Sequence, residues 1–173
     1  MKASIFWKAV VADDSDFLAR IIDLLSSSGI RYAVIGGQGV NAYVDPVVSP
    51  DLDVAVALDQ LELAESVLTQ KFRVERFEHC LNVSAPGSDL RLQIQTDPRY
   101  SEFVPRANSR DVLGWTLQVA DVADVLQGKV WAVSDPTRRA STRQKDLADI
   151  ARLLEAFPEI SDRVPTDILA RLI

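Results

Sequence analysis

The feature that most constrains this chain is a short apolar run ending in two glycines, Tyr32-Ala33-Val34-Ile35-Gly36-Gly37, followed at a fixed distance by Pro50-Asp51-Leu52-Asp53-Val54. The β-branched and aromatic residues read as a buried strand entering a tight turn, after which residues 38–43 begin a helix. Glycine has no Cβ, so backbone N–H groups at such a turn can approach phosphate oxygens closely. The helix N-terminus that follows favours negative charge.

Residues 51–58 alternate with a period of two. Leu52, Val54, Val56 and Leu58 share one face, and Asp51, Asp53, Ala55 and Ala57 share the other. Two carboxylates side by side repel unless a cation lies between them, and a hard divalent ion with oxygen ligands, Mg²⁺ or else Mn²⁺, is the natural one. Such a metal would bridge triphosphate oxygens and help orient an attacking hydroxyl. Glycine turn and carboxylate pair together suit a nucleoside triphosphate (NTP) and its metal, which points to nucleotidyl transfer.

Around these strands the pattern is regular. Asp14 or Ser15 is placed to cap a helix with the stripe Phe17, Ile21, Leu24, Leu25 and Ser28, which Gly29 ends. Asp59 is placed to cap a second helix with Leu61, Ala64, Val67 and Leu68 inward. Residues 72–77 and 80–84 read as strands, and a turn at residues 85–88 leads to a strand at 89–96 with Leu90, Leu92 and Ile94 toward the core. A hairpin after a helix makes the sheet mixed. Residues 97–108 read as a loop lying over the site, and residues 115–119 as a further short strand.

The C-terminal third reads as helical. Asp121 caps a helix whose inward stripe is Val122, Val125, Leu126, Lys129 and Val133. An ammonium in the centre of an apolar stripe is costly unless it is paired or faces a polar cleft, so Lys129 either snorkels toward the helix end or marks a site and calls for a carboxylate, and the site reading is favoured. A break at residues 134–137 precedes the last long helix, with Leu147, Ile150, Ala151 and Leu154 inward and Asp146 and Asp149 along its edge. Lys145 and Asp149 are spaced for a surface pair; the competing reading is that Asp146 or Asp149 orients Lys129 or Lys145 toward a phosphate. Pro158 ends this helix. The tail at residues 161–173 is amphipathic, with Ile168, Leu169 and Leu172 docking on the body or on a second subunit.

A chain of 173 residues is long enough to bury a proper core as a single domain spanning residues 1–173, with an α/β portion to about residue 119 and a helical portion from about residue 120. No apolar run approaches the ~20 residues of a membrane span. Residues 1–7 lack the pattern of a cleaved leader, since Asp13 and Asp14 follow, and the reading is cytoplasmic. Cys80 and His79 are the only cysteine and histidine; adjacent on a strand, they point to opposite faces and cannot alone form a zinc site. The net charge of -6 argues against broad nonspecific binding to nucleic acid. Arg138, Arg139, Arg143, Lys145 and Arg152 nevertheless concentrate in one region, as a solvated helix start or as a local site for a triphosphate or an RNA end.

Over residues 30–158 the sequence resembles the nucleotidyltransferase fold superfamily, and within it the small bacterial group that includes the AbiEii-type toxins. Gly36-Gly37 matches its glycine signature, Asp51 and Asp53 its metal-binding pair, and Arg143-Gln144-Lys145-Asp146-Leu147-Ala148-Asp149 its Arg-x-Lys-Asp-x-x-Asp element, with Lys129 matching the upstream lysine. The resemblance implies an α/β (α+β) fold, a mixed sheet flanked by helices with a helical C-terminal portion. It implies nucleotide contacts at Gly36, Gly37, Gln38, Ser49 and Arg143, metal at Asp51 and Asp53, and catalytic roles for these two with Lys129, Lys145, Asp146 and Asp149. The acceptor would be RNA, a protein or a small molecule, with a cognate antitoxin as a further partner. Two positions depart from the pattern. Val47 stands where relatives carry Arg, and Arg91 or Gln93 stands where active members carry a third carboxylate. A general base must then come from Asp89, Asp97 or the C-terminal helix; if no further acid lies near the pair, a degenerate member that binds nucleotide or a partner protein without catalysis is favoured.

Overall fold

Apolar residues at Phe17, Ile21, Leu24 and Leu25 recur at helical spacing, and they line the buried side of α1 (Phe17–Ser27) in the computed structural model, which describes residues 16–112 and 114–172. Gly29 ends α1 with φ 65°, and the Ile30 N–H donates back to the Leu25 carbonyl at 2.9 Å. Residues 1–7, Asp13, and the cap expected from Asp14 or Ser15 lie outside the described residues.

Seven strands follow: β1 (Tyr32–Ile35), β2 (Asp51–Val56), β3 (Arg73–Arg76), β4 (Cys80–Ser84), β5 (Arg91–Gln95), β6 (Asn108–Val112) and β7 (Trp115–Val119). Their order in the sheet is β3-β4-β5-β2-β1-β7-β6. β2 runs antiparallel to β1 and parallel to β5, so the sheet is mixed. The helices are α2 (Gly36–Asn41), α3 (Leu61–Thr69), α4 (Pro98–Ser101), α5 (Val122–Ser134), α6 (Ala140–Ala156) and α7 (Thr166–Leu169).

The period of two in β2 decides which helices cover which face. Leu52, Val54 and Val56 join α1 and α3 in one core layer, with Leu81, Val83, Leu92 and Ile94. Ala55 and Ala57, together with Ala33 and Ile35, lie under Val40, Leu126, Val130, Leu147, Ile150 and Leu153 of α2, α5 and α6. Ile150 and Leu153 are fully buried, each contributing about 1.5–3 kcal/mol of transfer free energy. Ile168 is buried in the same layer, with Leu169 and Leu172 packed beside it, so the C-terminal tail docks on the body of its own chain. No helix among the described residues is long and apolar enough to cross a membrane.

Several elements differ from expectation. Leu58 leaves the strand for a 3₁₀ turn (Leu58–Gln60) and is 55% exposed. Asp59 makes no cap; it accepts two hydrogen bonds from Arg31, at 2.9 and 3.1 Å, pinning the turn to the base of β1. The flanks of the strands expected at 72–77 and 89–96 fray to β3 and β5. Residues 97–108 are ordered: Asp97 caps α4, a 3₁₀ turn follows, and β6 pairs with β7. In α6 the third buried apolar residue, after Leu147 and Ile150, is Leu153, with Ala151 and Leu154 at the margins. Asp121 does cap α5, accepting from the Ala123 N–H at 3.0 Å.

Candidate functional site

β1 delivers the chain to Gly36, which opens α2 directly instead of preceding it as a separate turn. Gly36 has φ 63°, and a Cβ there would lie 2.9 Å from Asp53 Cγ, closer still to its carboxylate oxygen. Gly37 borders the cleft, and an added Cβ there would sit in ordinary contact with Ser49, 3.8 Å from its Oγ. Gln38 is 1% exposed, and its amide is spent inside the protein. Its Nε2 donates to the Ser49 carbonyl at 2.9 Å, and its Oε1 accepts from Asn41 Nδ2. Gln38 therefore shapes the loop over residues 43–50, leaving no ligand contact open in this arrangement. Asn41 adds a two-bond clamp on Val47, through its carbonyl at 2.7 Å and its N–H at 2.9 Å.

Asp51 and Asp53 face one cleft of about 620 Å³. Opposite them stand Lys129 from α5 and Asp146, Asp149, Lys145 and Arg152 from α6, with Arg138 between the two helices. Lys129 is buried and its ammonium lies 2.9 Å from Asp146 Oδ1 and 2.7 Å from Asp149 Oδ2. Burial works against that charge, yet Asp149 and Asp146 outweigh it and hold the Lys129 pKa above its ordinary value. Arg138 donates to the other oxygen of Asp146 at 2.6 Å, and Arg152 to Asp149 at 2.8 Å. Arg152 also reaches the Asp45 carbonyl, tying α6 to the loop. Asp149 thus pairs with Lys129 and Arg152, and Lys145 has no ion pair among the described residues.

The two carboxylates of β2 differ. Asp51 accepts on one oxygen from Arg91 Nε at 3.0 Å and from a terminal guanidinium nitrogen at 2.9 Å. Asp53 has no side-chain hydrogen bond among the described residues. Burial raises its pKa to about 6, with Lys129 opposing the rise and Asp51 adding to it. The register sets Arg91 beside Asp51 and Gln93 beside Asp53. Gln93 turns its amide to Cys80 Sγ, 3.1 Å away. Among the described residues no group of three or more His, Cys, Asp or Glu side chains is placed to hold a metal ion.

No family model and no curated protein matches the sequence. Solved structures do. The crystal structure of ANT(2'')-Ia in complex with adenylyl-2''-tobramycin is 12% identical and superposes with a TM-score of 0.61 over 91% of this chain and 98% of that one. The lincosamide antibiotic adenylyltransferase LnuA, lincomycin-bound, is 12% identical with a TM-score of 0.55 over 80% and 97%. An antigenic nucleotidyltransferase-like protein from Paracoccidioides brasiliensis is 16% identical with a TM-score of 0.51 over 86% and 75%. The fold is that of the nucleotidyltransferases.

On this nucleotidyltransferase fold, the cleft brings together Gly37, Ser49, Asp51, Asp53, Lys129, Lys145, Asp146 and Asp149. Gly36 supports it from beneath Asp53. Arg143 is not among the lining residues; Arg138 and Arg152 of the same basic region are, and Arg91 joins them. Arg138 and Arg152 were visible in the sequence only as members of a charge cluster, and Arg91 only as a missing acid. Of the substitute bases, Asp89 is exposed and is not among the residues lining the cleft. Asp97 is tied to Arg99, whose hydrogen bonds hold it below the usual carboxylate range. His79 and Cys80, expected on opposite faces, both border a second cavity next to the cleft, because His79 precedes β4.

Proposed function

We propose that this chain is a nucleotidyltransferase that binds an NTP with Mg²⁺ or Mn²⁺ in the cleft and passes the nucleoside monophosphate to an acceptor hydroxyl. The observation that carries this reading is the opposition, across one cleft, of the Asp51–Asp53 pair and the Lys129–Asp146–Asp149 network. The donor set suits a hard divalent ion. Asp53 is a carboxylate without a hydrogen-bond donor, Asp51 keeps one oxygen clear of Arg91, and Mg²⁺ is commonly held by one or two carboxylates with substrate phosphates and waters completing its shell. When bound, the ion offsets charge on the phosphates during transfer. The chain's own part is to hold the pieces. Gly37 leaves room for phosphate oxygens, Arg138, Lys145 and Arg152 offer donors to the triphosphate, and Asp146 and Asp149 keep the Lys129 ammonium charged and fixed beside Asp53. LnuA is a lincosamide antibiotic adenylyltransferase and ANT(2'')-Ia is known in complex with adenylyl-2''-tobramycin, in keeping with transfer of this general kind. The AbiEii-type resemblance adds a role in a toxin-antitoxin pair or phage defence, in the cytoplasm, with a cognate antitoxin as partner.

A second reading keeps nucleotide binding and drops transfer. Gln93 stands beside Asp53 where a third carboxylate would complete the set, and Arg91 already neutralises Asp51. One experiment decides between them: thermal unfolding with each NTP, with and without Mg²⁺, on the wild type and on Asp51→Asn/Asp53→Asn, alongside transfer of an α-labelled NTP. A ligand at about a hundred times its Kd stabilises by roughly 2.7 kcal/mol. A metal-dependent shift lost in the double variant, with label transferred, supports the first reading. A shift without transfer to any acceptor pool supports the second, and no shift with any NTP overturns both.

A further inference from the structure

The second cavity, of about 520 Å³, adjoins the first, and Arg138 borders both. Its floor is the polar face of β5. Gln93 lies there in register with Asp53, and Gln95, one repeat further along, has an amide with no hydrogen-bond partner among the described residues. Two aromatic residues line its wall, Tyr100 and Trp131, edge to face with centroids 5.2 Å apart; Phe103, stacked on Trp131 at 5.6 Å, is buried and does not border the cavity. Arg99, over the Trp131 ring at 4.5 Å, is neutralised by Asp97 at 2.8 Å. The lining sets Asp97 and Asp135 against Arg99 and Arg138, so this cavity lacks the surplus of cations found on the α6 side of the first.

We propose that this cavity receives the acceptor, and that the acceptor is an uncharged, hydroxyl-bearing ring compound of small-molecule size, in preference to RNA or a protein. This rests on the transfer reading of the first cleft. The volume falls within the roughly 300–1,000 Å³ of small-molecule sites. A ring gains contact with Tyr100 and with the part of Trp131 that Arg99 and Phe103 leave uncovered, and hydroxyls meet the donor and acceptor atoms of the Gln95 amide. A polyanion finds no net positive charge here. Adjacent strands lie about 4.8 Å apart, so a hydroxyl over Gln93 is one strand spacing from the Asp53 position. In the transfer, the acceptor hydroxyl oxygen bonds to the α-phosphorus, and the bond from that phosphorus to the oxygen bridging to the β-phosphate breaks. Pyrophosphate leaves with the electron pair, and the hydroxyl proton passes to water in the open cleft.

The test is ligand-observed NMR on the full chain with a panel of uncharged aryl glycosides and cyclitols and their phosphorylated counterparts, using the wild type, Gln95→Leu and Asp51→Asn/Asp53→Asn. The uncharged compounds bind, their phosphates bind about tenfold more weakly, and Gln95→Leu loses about tenfold in affinity. Gln95→Leu keeps the full metal-dependent NTP shift, Asp51→Asn/Asp53→Asn keeps glycoside binding, and NTP and glycoside bind together. Preference for the phosphorylated compounds, displacement by NTP, no binding of any uncharged compound at millimolar concentration, or unchanged binding by Gln95→Leu overturns the assignment. Absence of an NTP shift in the wild type overturns the transfer reading instead, and is read separately.

Discussion

Asp53 occupies the space that Gly36 leaves by having no side chain: a Cβ on Gly36 would lie 2.9 Å from Asp53 Cγ, and Gly36 sits at φ 63°. The glycine signature and the carboxylate pair are therefore one steric unit. Gly36→Ala is expected to lose about 1–2 kcal/mol from the left-handed backbone alone, several degrees in Tm, and also to displace Asp53 and abolish the metal-dependent NTP shift. Gly29→Ala, at φ 65° where an added Cβ meets nothing within 4 Å and outside the lining of the cleft, is the control. Differential scanning fluorimetry should show stability lost in both variants and the NTP shift lost only in the first; a retained shift in Gly36→Ala would contradict the steric link.

The raised pKa of Asp53 makes stability depend on pH in a definite direction. Its folded value of about 6 lies above the ~3.9 of an unfolded chain, so the folded state binds the proton more tightly. Metal-free protein should then lose stability as pH rises from about 4 to about 6, with no further loss from this group above that. Asp53→Asn removes the penalty and is expected to exceed the wild type by up to about 3 kcal/mol at pH 7.5, the gap closing by pH 4. Urea unfolding in the presence of a chelator measures it; a gap that does not vary with pH would assign the effect to packing. NTP binding should run the other way and strengthen as Asp53 ionises.

Much of this arrangement was legible in the sequence because each feature violates a local expectation. Two carboxylates on one strand face and a lysine inside an apolar helical stripe are both costly without partners, and each cost pointed to the cleft. What was missed had no such signal. β6 reads Asn-Ser-Arg-Asp-Val, a polar edge strand without apolar alternation, and it is held by pairing to β7. Gln38 has the composition of a ligand contact but is buried as a clamp on residue 49. Arg91 and Gln93 read as losses, and only the register shows that Arg91 has taken Asp51 as its partner while Gln93 has turned to Cys80.

Lys129 is enclosed with two acids, so removing it leaves negative charge without its counterion. Lys129→Met is expected to cost about 3–5 kcal/mol, read as a lower urea midpoint with unchanged m-value. Asp146 retains Arg138 at 2.6 Å and Asp149 retains Arg152 at 2.8 Å, which should keep the loss toward the lower end. Adding Asp149→Asn to Lys129→Met should recover part of it, with a coupling of about 1–3 kcal/mol in the double-mutant cycle. Strictly additive losses would mean that the pair contributes little beyond its separate environments.

Gln93→Asp tests whether the cleft lacks only an acid. β5 runs parallel to β2 and sets residue 93 beside Asp53, so the new carboxylate joins Asp51 and Asp53 on one sheet face. Three like charges destabilise the metal-free protein, most at neutral pH, and this loss should be reversed by Mg²⁺ or Mn²⁺ at millimolar concentration. If the general base is what is missing, labelled-nucleotide transfer should rise by about 10²- to 10⁴-fold over the wild type. A metal-rescued stability with no gain in transfer would show that the Lys129–Asp146–Asp149 side of the cleft governs the chemistry. Adding Arg91→Ala to the same background separates the two inhibitory features. Arg91 is exposed, so its removal should change stability by less than about 1 kcal/mol, while release of the second Asp51 oxygen should lower the metal concentration needed for half-maximal rescue.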